Sequence, residues 1–266
     1  EGVSESRVVS GSPRRRPIKR GRTTLQYLAL AVMGTDDDRD AMREAVAEVH
    51  RAVVSTPTSP VRYSGNARDL QLWVAACLFR YYLDQYTFEF GPLAEPDLDV
   101  LVRAGAPLAT GVQVKADDWP QSWAQYQAYW NSMLPRLSIS PEVHRDFETL
   151  ADLSFLAESW GIFGRIVSAV LGRPYHWFTR ASTPQHFREL MGWSWTAVDR
   201  KRFERILTVL ALADRFVNPW STSIVYRLYI WGFRVRRRLG RPVLGRLRVS
   251  DRMIRDGGGQ RRSARR

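Results

Sequence analysis

Cysteine is nearly absent from the 266 residues; Cys77 stands alone, so no disulfide framework can hold the fold together. Set within an apolar run, that thiol reads as buried and inert rather than nucleophilic. Histidine is scarce too. His50, His144, His176 and His186 show neither an HExxH pattern nor a Cys/His spacing, which excludes a zinc site of the usual kinds. There is no phosphate-binding glycine loop, no triad pattern, no paired-carboxylate site, no internal repeat and no convincing strand alternation. No uninterrupted stretch of about 20 apolar residues is present, which argues against a membrane span. Arg14–Arg16 are not followed by the apolar core of a leader. Lysine is reduced to Lys19, Lys115 and Lys201, so the basic charge is carried by arginine.

What is present is a globular composition: 44% hydrophobic and 12% aromatic residues, with 10 Trp. The net charge of +13 is unevenly placed. Residues 1–22 carry +5 and residues 234–266 carry +11, leaving −3 on the stretch between them. The body is therefore slightly acidic and the ends basic. Basic ends suit a solvated irregular tail, an anionic membrane surface or nucleic acid. The last is not expected, because no helix-turn-helix signature appears and the charge lies outside the predicted fold.

The stretch Asp69–Tyr86, DLQLWVAACLFRYYLDQY, is apolar on nearly every side, broken by Gln71 and Arg80. A helix of this kind must be surrounded by other helices, and the spacing predicts the most buried helix of an all-α domain. Asn66 is its expected cap. Before it, a helix over Arg22–Met33 ends at Gly34, and Thr35 with Asp36–Asp38 opens another over Asp37–Val54. Met42, Val46, Val49 and Val53 form one apolar stripe on that second helix, with His50 at its edge. Further helices are predicted over Pro96–Leu108, Trp123–Leu134, Pro141–Phe155, Trp160–Leu171, Pro184–Met191, Thr196–Arg215 and Ser221–Leu239. The domain reading is an irregular basic segment 1–19, one all-α domain 20–240, and an Arg-rich tail 241–266. The tail, preceded by WSTSIVYRLYIWGF, is expected to favour anionic membranes. On spacing alone His50 reads as a half-buried core histidine, His144 and His186 as surface residues, and His176 as a packing residue in PYHWF.

The order of segments says more. RTTLQYLALAVMGT, then EVHRAVV, then YSGNARDLQLWVAACL, then WPQSWAQYQAYWNSML and LSISPE, resembles the MpaB/latex-clearing (rubber oxygenase) family over roughly Gly2 to Met191. That resemblance implies an all-α fold holding haem b, its iron bound by a histidine on an internal helix. It also implies the use of dioxygen to cleave carbon–carbon double bonds in apolar isoprenoid chains. The family's VxxxHxxV pattern falls on Val46–Val53 and makes His50 the implied iron ligand. Its Arg-x-x-(Lys/Arg)-Thr pattern falls on Arg20–Thr24. Arg20 and Thr24 are thereby implied on the distal, catalytic side, and Arg22 stands one residue from the basic position held here by Thr23. Two departures accompany it. Many relatives carry a histidine where this chain has Ala75, and another where it reads Gly2-Val-Ser-Glu-Ser-Arg7.

The expected function is accordingly a haem b-dependent oxygenase acting with dioxygen on an apolar, unsaturated, isoprenoid- or lipid-like substrate. The chain would be cytoplasmic or peripheral to a membrane. The alternative is a family member that binds haem or a lipid-like ligand without redox chemistry, which Ala75 and Thr23 motivate.

Overall fold

A computed structural model describes residues 17–55 and 62–244 of the chain. The basic run before Pro17 and the arginine-rich stretch from 245 onward lie outside the described residues. Within them the architecture is all-α, as the sequence predicts. The one β feature is an isolated antiparallel bridge between Val54 and Ser64.

Helix α1 spans Pro17–Met33, with proline at its first position where a missing N–H costs nothing. Gly34 ends it in a turn so close that a Cβ there would sit 2.5 Å from the Leu30 carbonyl oxygen. Thr35 then caps α2, Asp36–Arg51. The Thr35 side chain accepts from the Asp38 backbone, and Asp38 returns the bond to the Thr35 N–H. So short a connection forces α1 and α2 into an antiparallel hairpin, closed further on by Arg39 Nε donating to Ala31 O at 3.3 Å.

Helix α3 runs Arg68–Phe90 and stops at Gly91, whose φ of 88° suits only glycine comfortably. Asn66 does not cap it. The cap position is Ala67 without a side-chain bond, and Asn66 Nδ2 instead reaches Ala47 O at 3.0 Å. Nor is α3 buried all round. Gln71, Ala75, Ala76, Phe79 and Leu83 face the core, whereas Leu70, Val74 and Tyr81 are 43%, 56% and 55% exposed. The longest unbroken buried run belongs to α1, where Leu28, Ala29, Leu30 and Ala31 are each at most 5% exposed. Apolarity on every face permitted a surrounded helix, but among the described residues too few neighbours pack on α3 to cover it.

Helices α4, Glu95–Ala104, and α5, Pro107–Thr110, replace one predicted helix; Gly105 separates them where Phe79 and Trp119 leave no room for a side chain. Helix α6, Trp123–Met133, follows, its Ser122 cap accepting from Gln125 N. The bond that would complete a capping box is displaced by one residue, since Gln125 Oε1 accepts from Gln121 N. Phe79, Trp119, Tyr126 and Trp130 form the aromatic centre of the core. Burying each such side chain contributes roughly 1.5–3 kcal/mol. Their polar ends are satisfied as well: Trp119 Nε1 donates to Val102 O at 2.7 Å and Tyr126 Oη to Ala76 O at 2.9 Å.

Helices α7, Pro141–Ala151, α8, Phe155–Ser182, and α9, Gln185–Leu190, complete the second half. Helix α8 is kinked at Gly161, which has non-helical angles. Helix α10, Ala197–Arg238, is continuous over 42 residues where two helices were predicted. It returns along α1 and α3: Gln26 Nε2 donates to Tyr229 O at 3.4 Å, and the Tyr82 and Tyr226 hydroxyls meet at 2.7 Å. Two arginines of the basic C-terminal region prove structural. Arg234 clamps the buried Asp38 through Nε and Nη2, and Arg237 pairs with Asp37.

Candidate functional site

The α1–α2 hairpin decides which candidates meet. From its turn, Arg20 lies about as far back along α1 as His50 lies forward along α2, so the two stand level at the open end. The Arg20 charge is felt at His50. Thr24, four residues on from Arg20, shares its helical face; Arg22, two residues on, is turned about 200° away. Arg20, Arg22 and Thr24 all keep contact with solvent, and Thr23 Oγ1 bonds back to Arg20 O at 3.0 Å.

His50 is half-buried in the last turn of α2. Burial is the largest influence on its pKa, pushing it below the usual imidazole value. A hydrogen bond with the Gly65 backbone opposes this weakly, and the Arg20 charge adds to the lowering. The ring is therefore neutral near pH 7, the form that binds metals. Its Nδ1 lies 3.5 Å from Gln71 Nε2.

Gln71 organises this end of the molecule. Buried in the first turn of α3, it donates from Nε2 to Gly65 O at 2.9 Å and approaches Asn66 Oδ1 at 3.4 Å. Its Oε1 accepts from the backbone of Gln113 at 2.6 Å, and Gln113 Nε2 in turn reaches Arg43 O. One amide thus ties the end of α2, the segment before α3 and the connector after α5 around His50. Close packing sets the distances: a Cβ on Gly65 would lie 3.0 Å from Val53 Cβ and 3.2 Å from His50 Cβ. Sequence reasoning registered Gln71 as an interruption of an apolar helix and gave it no role. A lone amide in such a run was the available signal; Gln113 and Asn66 offered none.

Among the described residues no three His, Cys, Asp or Glu side chains gather to hold a bare metal ion. His50 would act as a single protein ligand, which suits haem because the porphyrin supplies four nitrogens itself. The donor fits that role: it is a neutral imidazole on a rigid helix, and the ring N–H given to the Gly65 carbonyl would leave the other nitrogen for iron. Leu70 and Val74, flanking Gln71 on the open side of α3, add exposed apolar surface nearby. A separate groove of about 750 Å³ between α2 and the end of α10 is lined by Ala41, Ala45, Glu48 and Phe233. It lies on the other flank of α2 from His50.

The remaining histidines stand elsewhere. His144 Nε2 meets Met191 O at 3.0 Å and His176 Nε2 meets Glu148 at 3.0 Å. The His186 Nε2 is buried without a partner among the described residues. His144 and His186 are thus half-buried rather than on the surface, because α9 folds back over α7 and α8. Ala75 is 1% exposed within the packed core of α3. No helix among the described residues is long and apolar enough to cross a membrane.

A protein-family model described as ER-bound oxygenase mpaB/B'/Rubber oxygenase, catalytic domain, matches residues 1–212. Uncharacterized proteins of Mycobacterium bovis and Mycobacterium tuberculosis are each 40% identical to the chain over 244 residues, 91% of this chain and 92% of theirs. No solved structure matches it.

Proposed function

The chain belongs to the ER-bound oxygenase mpaB/B'/rubber oxygenase catalytic-domain family, and from that premise we propose that it is a haem b-dependent oxygenase. Its substrate is an apolar, unsaturated, isoprenoid- or lipid-like molecule, and dioxygen is the oxidant. The observation that carries this reading is the neutral, half-buried His50, held level with Arg20 by the α1–α2 hairpin.

Haem iron, when bound, supplies the binding and activation of dioxygen. His50 would hold the iron through the ring nitrogen that Gly65 does not engage, with the Gly65 carbonyl, itself fixed by Gln71 Nε2, orienting the ring. Arg20 provides a permanent cation at the level of the ligand, suited to pairing with a propionate carboxylate. Thr24 offers a hydroxyl donor on the same face of α1. Depressed proton affinity at His50 keeps acid from competing with iron for the imidazole.

The test is the absorption spectrum of protein expressed with ample haem. His50→Ala should abolish the Soret band and the stoichiometric haem found by pyridine assay, while helical circular dichroism is kept. A variant that retains full haem with an unchanged spectrum would refute the assignment. A second reading, haem or lipid binding without redox chemistry, draws on Ala75, which puts no donor where many relatives carry a histidine. It predicts one-to-one haem without dioxygen consumption on any unsaturated lipid. Turnover on such a substrate would end it.

A further inference from the structure

Helix α8 has two unlike faces. Gly164 and Gly172 lie against the chain beneath; a Cβ at Gly172 would be 2.5 Å from Asp152 O. On the opposite face Ile162, Ile166 and Val170 recur every four residues beside Phe163, and these four are between 57% and 78% exposed. Single exposed apolar residues are ordinary, but four in one stripe mark a binding surface.

Three residues beyond Val170 the stripe runs into charge. Arg173, His176 and Arg180 line a pocket of about 270 Å³ with Glu148, Asp152 and Trp177. The acids there already hold donors. Glu148 takes His176 Nε2 at 3.0 Å and Trp193 Nε1 at 2.6 Å, and Asp152 takes Ser154 N at 2.8 Å. Asp199, which feels the Arg180 charge, is bonded by Thr196 and Trp177. Arg180 Nε is buried without an acceptor among the described residues. A buried charged donor left in that state is costly and calls for an oxyanion.

We propose that this pocket and stripe bind a long-chain fatty acid, its carboxylate at Arg180 and Arg173 and its chain along Val170, Ile166, Phe163 and Ile162. The head group carries one charge rather than two, because Glu148 and Asp152 balance the arginines and would repel a dianion such as phosphate. From Arg173 to Ile162 the helix advances ~16 Å, a suitable length for an extended acyl chain. A self-associating surface fits less well, since an antiparallel two-fold contact would set Arg173 against the apolar Ile162 end of the other copy. The site is built from α7 and α8 and needs neither haem nor His50.

Titration calorimetry of the full chain with dodecanoate, against its uncharged methyl ester, tests this. Dodecanoate should bind one to one and the ester at least tenfold more weakly. Arg180→Gln should weaken dodecanoate about tenfold or more and leave the ester unchanged. Arg173→Gln, at an exposed position that cannot threaten folding, should weaken it several-fold. Ile166→Asp should weaken both ligands, and His50→Ala neither, which separates this site from the haem reading. Equal affinity for acid and ester would overturn the proposal, as would an Arg173→Gln variant of parental affinity. So would binding to phosphatidylglycerol vesicles, or dimer formation, without affinity for dodecanoate.

Discussion

Replacing Gln71 by leucine tests the organisation of the His50 end most directly. The substitution keeps volume and helix propensity, so its effect comes from lost hydrogen bonds rather than from a cavity. It removes the acceptor of the Gln113 N–H, bonded at 2.6 Å, and the donor to Gly65 O at 2.9 Å. Leaving a buried backbone group unpaired costs about 1–3 kcal/mol. Gln113 and Gly65 are half-buried and regain some water, so the sum expected is about 2–3 kcal/mol. For a domain of this size that lowers the melting temperature by roughly 4–12 °C. Thermal circular dichroism measures it, with Leu70→Gln, at an exposed neighbouring position, as the control expected to change little. In the same variant the Gly65 carbonyl that accepts from His50 loses its other donor, so haem should bind with a shifted or broadened Soret band. A melting point within 1 °C of the parent, with an unaltered spectrum, would show that Gln71 fills space and positions nothing.

Asp38→Ala removes both half of the α2 capping box and the buried partner of Arg234, and should destabilise by about 2–4 kcal/mol in denaturant titration, with Arg234→Ala closing a double-mutant cycle. Burial works to raise the Asp38 pKa, yet the Arg234 and Thr35 bonds outweigh it and the value falls. Its stabilisation is therefore present above the ordinary carboxylate value and is lost as pH drops through the lower folded value. His50 gives a second slope: its lowered pKa means the unfolded chain takes up a proton first, so stability should rise with pH up to about 6.5. His50→Gln should flatten that limb in urea melts taken from pH 5 to 7. Gly105→Ala places a Cβ 2.6 Å from the Phe79 ring and should cost about 1–3 kcal/mol by overpacking, read as a lower urea midpoint.

The helical class was legible because caps and breakers act locally. Thr35 caps the helix it was expected to cap, Ser122 and Ser140 cap α6 and α7, and Gly34 and Gly91 end α1 and α3. Segment order likewise sufficed for the family, since order and spacing are properties of the chain itself. The pairing of His50 with Arg20 in space was not readable from either residue. It follows from the two-residue turn at Gly34-Thr35, which folds thirty residues of chain back until their ends stand level. Tertiary packing alone decided which apolar faces are covered. Residues 70–86 read as buried on all sides and α3 kept an open flank, while α1 became the innermost run. It also gave two C-terminal arginines their roles: Arg234 and Arg237 counted in the sequence only toward a basic C-terminal end, and the return of α10 along α1 set them on Asp38 and Asp37. The amide of Gln71 shows the limit most plainly, for its partners lie up to 42 residues away and no local pattern encodes them. A residue's chemistry is written in the sequence; which groups it meets depends on how the helices close around it.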